Sequence, residues 1–155
     1  MTEAEFRTYL ERAVPEYADE HVRAGNWHPS EALKKAQESY DYYLPDGLAS
    51  EKQFLYTIVD TDSDTTVGTL WFEVLDQRVR PMAFLLDFYI LPEFRRRGYA
   101  TQALGALEEK IGALGIDLIG LHVFAHNAAA RSLYAKMGYE ETDINMAKTL
   151  PRPGA

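Results

Sequence analysis

Apolar positions in the first part of the chain recur at helical spacing. Phe6, Leu10, Ala13, Tyr17 and Val22 follow one another at near-helical intervals up to Gly25, and Thr2 with Glu5 reads as a capping box at their head. Pro15 is expected to bend or divide this helix, because proline lacks the helical N–H and clashes with the preceding turn. After a loop at Asn26-Trp27-His28-Pro29, with Ser30 as the expected N-cap, Leu33, Ala36, Tyr40 and Tyr43 mark a second helix ending near Pro45-Asp46-Gly47.

The pattern then changes to β-branched and aromatic runs. Phe54 to Asp60 and Thr66 to Leu75, joined by Thr61-Asp62-Ser63-Asp64, predict a hairpin. A turn around Asp76 to Pro81 leads to Met82 to Ile90, whose almost continuous apolar character predicts a central strand covered on both faces. Tyr99 to Leu114 predicts a third helix with Leu104, Leu107 and Ile111 inward, Asp117 to Phe124 another buried strand, and Asn127 to Met137 a shorter helix stopped by Gly138. Tyr139 to Thr149 predicts one or two antiparallel strands, followed by a frayed Pro/Gly tail from Leu150 to Ala155. The order of elements is that of an α/β (α+β) protein.

Composition narrows the chemistry. A chain of 155 residues with 46% hydrophobic content suits one domain spanning 1–155. A formal net charge of −8 argues against a nucleic-acid or anionic-membrane partner. With no cysteine, there is no disulfide framework, thiolate metal site or cysteine nucleophile. His122 and His126 are the nearest approach to a paired ligand spacing, but the β-rich text around them argues against one helix face, so no metal is expected. Met1 to Leu10 lacks the basic and apolar regions of a signal peptide, and no run is long enough to span a bilayer; a cytoplasmic location is expected.

Against this acidic background, the run from Asp87 to Ala100 stands out. It joins an apolar strand, a turn with Arg95, Arg96 and Arg97, and a helix start. Such a junction leaves backbone N–H groups without helical partners and adds the positive end of the helix dipole, so it suits a phosphate. Gly98 lets the backbone approach a ligand, and the arginines offer charge-assisted hydrogen bonds. A solvated basic turn capping an ordinary helix is the alternative.

Two motifs in this chain resemble those of the GNAT superfamily, the Gcn5-related N-acetyltransferases. Arg95-x-x-Gly98-x-Ala100 is similar to the acyl-CoA signature of that family. Asn127-x-x-Ala130-x-x-x-Tyr134-x-x-x-Gly138-Tyr139 resembles its second conserved segment, and the resemblance runs from about Thr2 to Leu150. It implies a GNAT fold, with a mixed, mostly antiparallel sheet of six to seven strands flanked by about four helices. Family members usually open with a strand, which here is expected to be absent, very short or lost with the gene start, leaving an extra sheet edge that another chain or a loop would cover.

The resemblance further implies transfer of an acetyl group from acetyl-CoA directly to a primary amine of a small molecule or peptide. By motif position, the backbone of Phe88, Tyr89 and Ile90 would hold the pantetheine arm, and Arg95, Arg96, Arg97, Gly98, Tyr99, Ala100 and Thr101 would cradle the diphosphate, although Arg95 or Arg96 reads equally as a solvated side chain. Asn127 would hold the cofactor arm, cap its helix, or do both. Tyr134 would donate a proton to the departing sulfur, or simply pack the fourth helix. For the base there are three candidates. His122 has a suitable unperturbed pKa but also reads as a core histidine. Asp87 is a carboxylate in an apolar strand that could instead hold a structural hydrogen bond or orient His122, and Glu73 lies on the preceding strand. The acceptor would meet the loop at Asn26 to His28 and the segment Thr142 to Asn145, with Trp27, Tyr40, Tyr42 and Tyr43 as an aromatic entrance or as core. A non-catalytic acyl-CoA-binding sensor and a transferase of a larger acyl group are the alternatives, and a homodimer is compatible with each.

Overall fold

The computed structural model describes residues 1–76 and 79–151. Gln77 and Arg78, in the turn expected after Asp76, and Arg152 to Ala155, in the expected tail, lie outside the described residues. Two helices come first, α1 (Glu3–Arg23) and α2 (Pro29–Tyr43). The capping box at Thr2 and Glu5 forms, with both reciprocal hydrogen bonds present. Pro15 does not divide α1, contrary to expectation. It lies on the exposed side of the helix, where water can serve the carbonyl that loses its partner. The N-cap of α2 is His28 rather than Ser30, its Nδ1 accepting from the Ser30 N–H at 3.3 Å, with Pro29 in the first turn.

A sheet in the order β1 (Gln53–Asp60), β2 (Thr65–Asp76), β3 (Pro81–Ile90), β4 (Ile119–Leu121) follows. The first two pairings are antiparallel and the last is parallel. Helix α3 (Tyr99–Ala113) makes the crossover between β3 and β4, and α4 (Ala128–Lys136) follows β4. Side chains alternate across the sheet, so neighbouring β2 residues build two different cores. Trp71, with Leu55, packs against Phe6, Tyr9, Ala13, Val14 and Ala18 of α1 and Ala32, Ala36 and Tyr40 of α2. Phe72, with Leu70 and Leu85, packs against Leu104, Leu107 and Ile111 of α3. The three residues expected to face inward from α3 are its buried ones.

The described sheet has four strands, not six to seven. No strand precedes α1 among the described residues, and the strand expected from Asp117 to Phe124 is paired only from Ile119 to Leu121. Residues 139–151, expected to supply one or two strands, form none. An alternating sequence becomes a strand only when an edge pairs with it, and among the described residues none does. No helix among the described residues is long and apolar enough to cross a membrane.

Candidate active site

The site is opened by one extra residue in β3. Trp71 of β2 stands opposite Asp87, yet the next residue, Phe72, stands opposite Leu85, so Leu86 has no partner and forms a bulge. The parallel pairing with β4 ends at Leu85 and Leu121, immediately before that bulge. Beyond it, β3 continues along β2 from Asp87 to Ile90, whereas the pairing with β4 has stopped. The edge of β3 at Phe88, Tyr89 and Ile90 therefore has no strand beside it on the β4 side among the described residues. A cleft of about 1570 Å³ lies there, more than a single small ligand needs.

At one end of the cleft is the turn before α3. Gly98 is the N-cap of that helix, with φ +88° and no side-chain cap, and Arg96 also has a positive φ of 62°. Among the described residues, no acceptor engages the backbone N–H groups from Arg96 to Thr101. The unsatisfied donors and the positive end of α3 thus face the same space. A Cβ at Gly98 would find only the Gln102 Nε2, at 3.6 Å, so glycine is required there by conformation and not by crowding. The Tyr99 hydroxyl donates to Asp60 Oδ2 at 2.8 Å, fixing the start of α3 to the β1–β2 turn and holding the Asp60 carboxyl below its ordinary pKa. The arginines divide. Arg95 is docked, donating from Nε to the Ile90 carbonyl at 2.9 Å and lying over the Tyr89 ring. Arg97 lies over Phe94, outside the cleft lining, whereas Arg96 lines it.

Asp87 sits on the cleft face toward α1. Arg12 donates to its Oδ2 at 3.3 Å and to Thr69 Oγ1 at 3.0 Å, pairs with Glu16, and stacks over Tyr89 with its guanidinium carbon 3.8 Å from the ring centroid. Burial pushes the Asp87 carboxyl above the ordinary carboxylate range, with Arg12 partly offsetting it. Burial alone would lower the Arg12 pKa, but Asp87 and Glu16 outweigh it and raise it. The Tyr9 hydroxyl is buried in the same cluster, and burial followed by the Asp87 charge pushes its pKa up strongly. No described hydrogen bond joins Asp87 to His122.

Tyr134 lines the cleft from α4. Burial, then its neighbours Tyr139 and Asp87, push its phenol up to about 12. Its ring packs against Tyr139, at 5.5 Å between centroids. Asn127 caps α4, its Oδ1 accepting from the Ala130 N–H at 3.2 Å. His122 is exposed at the cleft with its ring edge-on to Phe124. Glu73 is elsewhere: it accepts from Gln53 Nε2 at 3.2 Å and does not line the cleft. Of the aromatic residues in the expected entrance, Trp27 stacks on His21 at 3.9 Å, Tyr40 is buried in the core and lines the cleft together with Tyr43, and Tyr42 is largely exposed and does not line it.

Sequence reading missed the α1 contribution. Arg12 and Glu16 stand four apart on one helix face, which signals an ion pair within the helix but says nothing of a carboxylate across the core. Glu20 with His126, and His21 with Phe124, likewise join α1 to the β4–α4 loop, and no spacing announces them.

The sequence profile of the Acetyltransferase (GNAT) family matches residues 14–139. The chain belongs to that family. It is accordingly an acyltransferase, and its acceptor is an amine. Among similar proteins, the uncharacterized N-acetyltransferase YycN of Bacillus subtilis (strain 168) is 39% identical over 150 residues, 97% of this chain and 96% of that one. The uncharacterized N-acetyltransferase YdgE of the same organism is 35% identical over 97% and 95%. The crystal structure of YycN shares the fold at a TM-score of 0.92, with 38% identity over 98% of this GNAT chain and 96% of that chain.

Proposed function

We propose that this acyltransferase uses acetyl-CoA as donor and passes its acetyl group directly to a primary amine of a small molecule or peptide while both substrates are bound. The observation that carries the reading is the pairing of two unsatisfied surfaces on one cleft: the β3 edge beyond the Leu86 bulge and the free N–H groups of Arg96 to Thr101. The first matches an extended amide chain that hydrogen-bonds as a strand would, and the second matches a diphosphate.

Acetyl-CoA supplies an activated acyl group on a sulfur leaving group. Phe88, Tyr89 and Ile90 align the amide arm through their backbone, and the Ile90 carbonyl is already committed to Arg95. Arg96, with the N–H groups of Arg97, Gly98, Tyr99, Ala100 and Thr101, holds the diphosphate, while Arg95 braces the turn. Asn127 caps α4 and keeps that helix end at the arm. Tyr134 donates its phenolic proton to the departing sulfur; with a pKa near 12 it is protonated throughout the neutral range. His122 takes the proton from the incoming alkylammonium, directly or through water, because its ring nitrogens have no hydrogen-bond partner among the described residues and it lines the cleft, whereas Asp87 is tied to Arg12 and Glu73 lies outside. Asp87 and Arg12 together set the polarity of the cleft floor.

The test is to incubate the protein with acetyl-CoA and a panel of amines and peptides, following free thiol and acetylated product. Thiol release that requires both protein and amine is expected. Stabilisation by acetyl-CoA with no transfer to any acceptor would remove the amine reading, and no stabilisation would remove the donor.

A further inference from the structure

The two walls of the cleft belong to opposite layers of the protein. α1 packs on the face of the sheet that carries Trp71, whereas α4, through Leu133, Tyr134 and Met137, packs on the face that carries Phe72. As far as Leu85 and Leu121, paired strands lie between those layers and fix their spacing. Past the Leu86 bulge that pairing has stopped. There the sheet no longer sets how far Glu16 and Glu20 on one wall stand from Asn127 and Tyr134 on the other.

One bridge spans the opening. Glu20, in the last turn of α1, is bonded through Oε2 to Nε2 of His126, the residue just before the N-cap of α4. An ionised carboxylate can only accept, so Nε2 carries the proton and donates. No other side-chain hydrogen bond or ion pair among the described residues joins α1 to the segment from β4 to α4. The next residue, His21, meets Phe124 edge-on at 5.3 Å, and Phe124 stacks on His126 at 5.4 Å with the ring planes 12° apart. Two consecutive residues of α1 therefore grip one loop. That loop is tied to the helix it precedes: the Asn127 N–H donates to the Phe124 carbonyl at 2.9 Å and the Ala128 N–H to the His126 carbonyl at 3.0 Å. A hold on His126 is thus a hold on Asn127 and the first turn of α4. The Glu20 and His126 side chains are 38% and 25% exposed, so the pair adds little to global stability and its effect is local.

We propose that Glu20 and His126 are a positioning pair that fixes the width of the cleft, holding α4 and its Tyr134 phenol at the distance from α1 that acyl transfer requires. The pair acts through Tyr134 and Asn127, and so rests on the roles given to them above. Without it the open end of the sheet widens and the phenol retreats from the departing sulfur, and a misplacement of about 1 Å can cost on the order of 100-fold in rate. Donor binding is spared, because the β3 edge and the turn before α3 are built from residues that neither Glu20 nor His126 bonds.

Two measurements test this. The first is steady-state kinetics with acetyl-CoA and the amine of the panel that reacts fastest. Glu20→Ala is expected to lower kcat by about 10- to 100-fold with the KM for acetyl-CoA within about threefold, and Glu20→Gln, whose amide oxygen still accepts from Nε2, to recover most of the loss. In Tyr134→Phe, where no phenol remains to be placed, Glu20→Ala should cost less than about threefold. Unchanged turnover in Glu20→Ala, no recovery in Glu20→Gln, or the full cost in the Tyr134→Phe background would overturn the proposal. The second measurement needs no turnover. The chain has no cysteine of its own, so Glu11→Cys with Ala135→Cys, exposed positions on α1 and α4 that do not line the cleft, takes one pair of spin labels for distance measurement by pulsed electron resonance. One narrow distance is expected with Glu20 in place, and a longer, broader one in Glu20→Ala; an identical distribution would overturn the pair as a spacer. A wild type with no turnover on any amine would remove the donor reading, and the distances would then decide the pair by themselves.

Discussion

Arg12 and Asp87 stand 75 positions apart in the chain and 3.3 Å apart in the fold. The contact joins the first helix to the floor of the cleft at the point where the Leu86 bulge turns β3 toward it, and it places a charge pair, each side chain about one fifth exposed, between the two cores. Replacing Arg12 by Ala leaves Asp87 half-buried without its cation. A loss of about 2 kcal/mol is expected, less than for a fully buried pair because water still reaches both groups. Urea unfolding measures it as a lower midpoint at unchanged slope. Adding Asp87→Asn should return part of the loss, and strict additivity of the two substitutions would contradict the pairing.

Tyr134→Phe removes the proton donor and keeps the ring. Turnover is expected to fall by about 10- to 100-fold, with the KM for acetyl-CoA within about threefold of the wild type. Since burial places the phenol near 12, the wild-type rate should show no downward limb from this group below about pH 10. Steady-state kinetics across pH give both answers, and an equal loss of turnover and donor affinity would point to packing alone.

Gly98→Ala and Gly105→Ala separate conformation from space. Neither position would crowd a methyl group, but Gly98 has φ +88° whereas Gly105 lies inside α3. The first should destabilise by about 1 kcal/mol and weaken acetyl-CoA binding several-fold; the second should stabilise by about 0.5 to 1 kcal/mol. Thermal unfolding with and without acetyl-CoA distinguishes them.

His21 stacks on Trp27 and meets Phe124 edge-on, and its pKa is lowered first by burial and then by the His122 charge. Because the folded protein takes up this proton less readily than the unfolded chain, the contribution is complete above the unfolded value near 6.5 and is lost as pH falls below it. His21→Phe keeps the stack and removes the titration. The fall in melting temperature between pH 7.5 and 5.5, roughly one unit either side of the unfolded value, should therefore be smaller in the variant, other groups cancelling in the comparison. An equal fall would remove His21 as a source of acid sensitivity.

The helices, the hairpin and the central strand were legible because their periods and caps are local: Thr2 with Glu5, the turn at Thr61 to Asp64, and the inward stripe of α3. Pro15 misled because proline's cost depends on whether the freed carbonyl meets water. The stretch after Tyr139 alternates like a strand, but alternation states a capacity, and pairing depends on an edge the sequence cannot locate. The candidate site was legible where it is linear, in Arg95 to Thr101 and Asn127 to Tyr134. It was illegible where it is assembled. The Leu86 bulge exists only in the register between two strands, and Arg12 joins the cleft only because α1 packs over Trp71.

Hydrogen exchange in the presence and absence of acetyl-CoA, read by mass spectrometry, tests most directly where the donor lies. Protection concentrated in the segments Phe88 to Ile90 and Arg96 to Thr101 is expected, because the β3 residues that alternate away from β2 face an open edge and the amides of Arg96 to Thr101 have no backbone acceptor among the described residues. Unchanged exchange in both segments, or protection elsewhere alone, would contradict a donor site built on the opened strand.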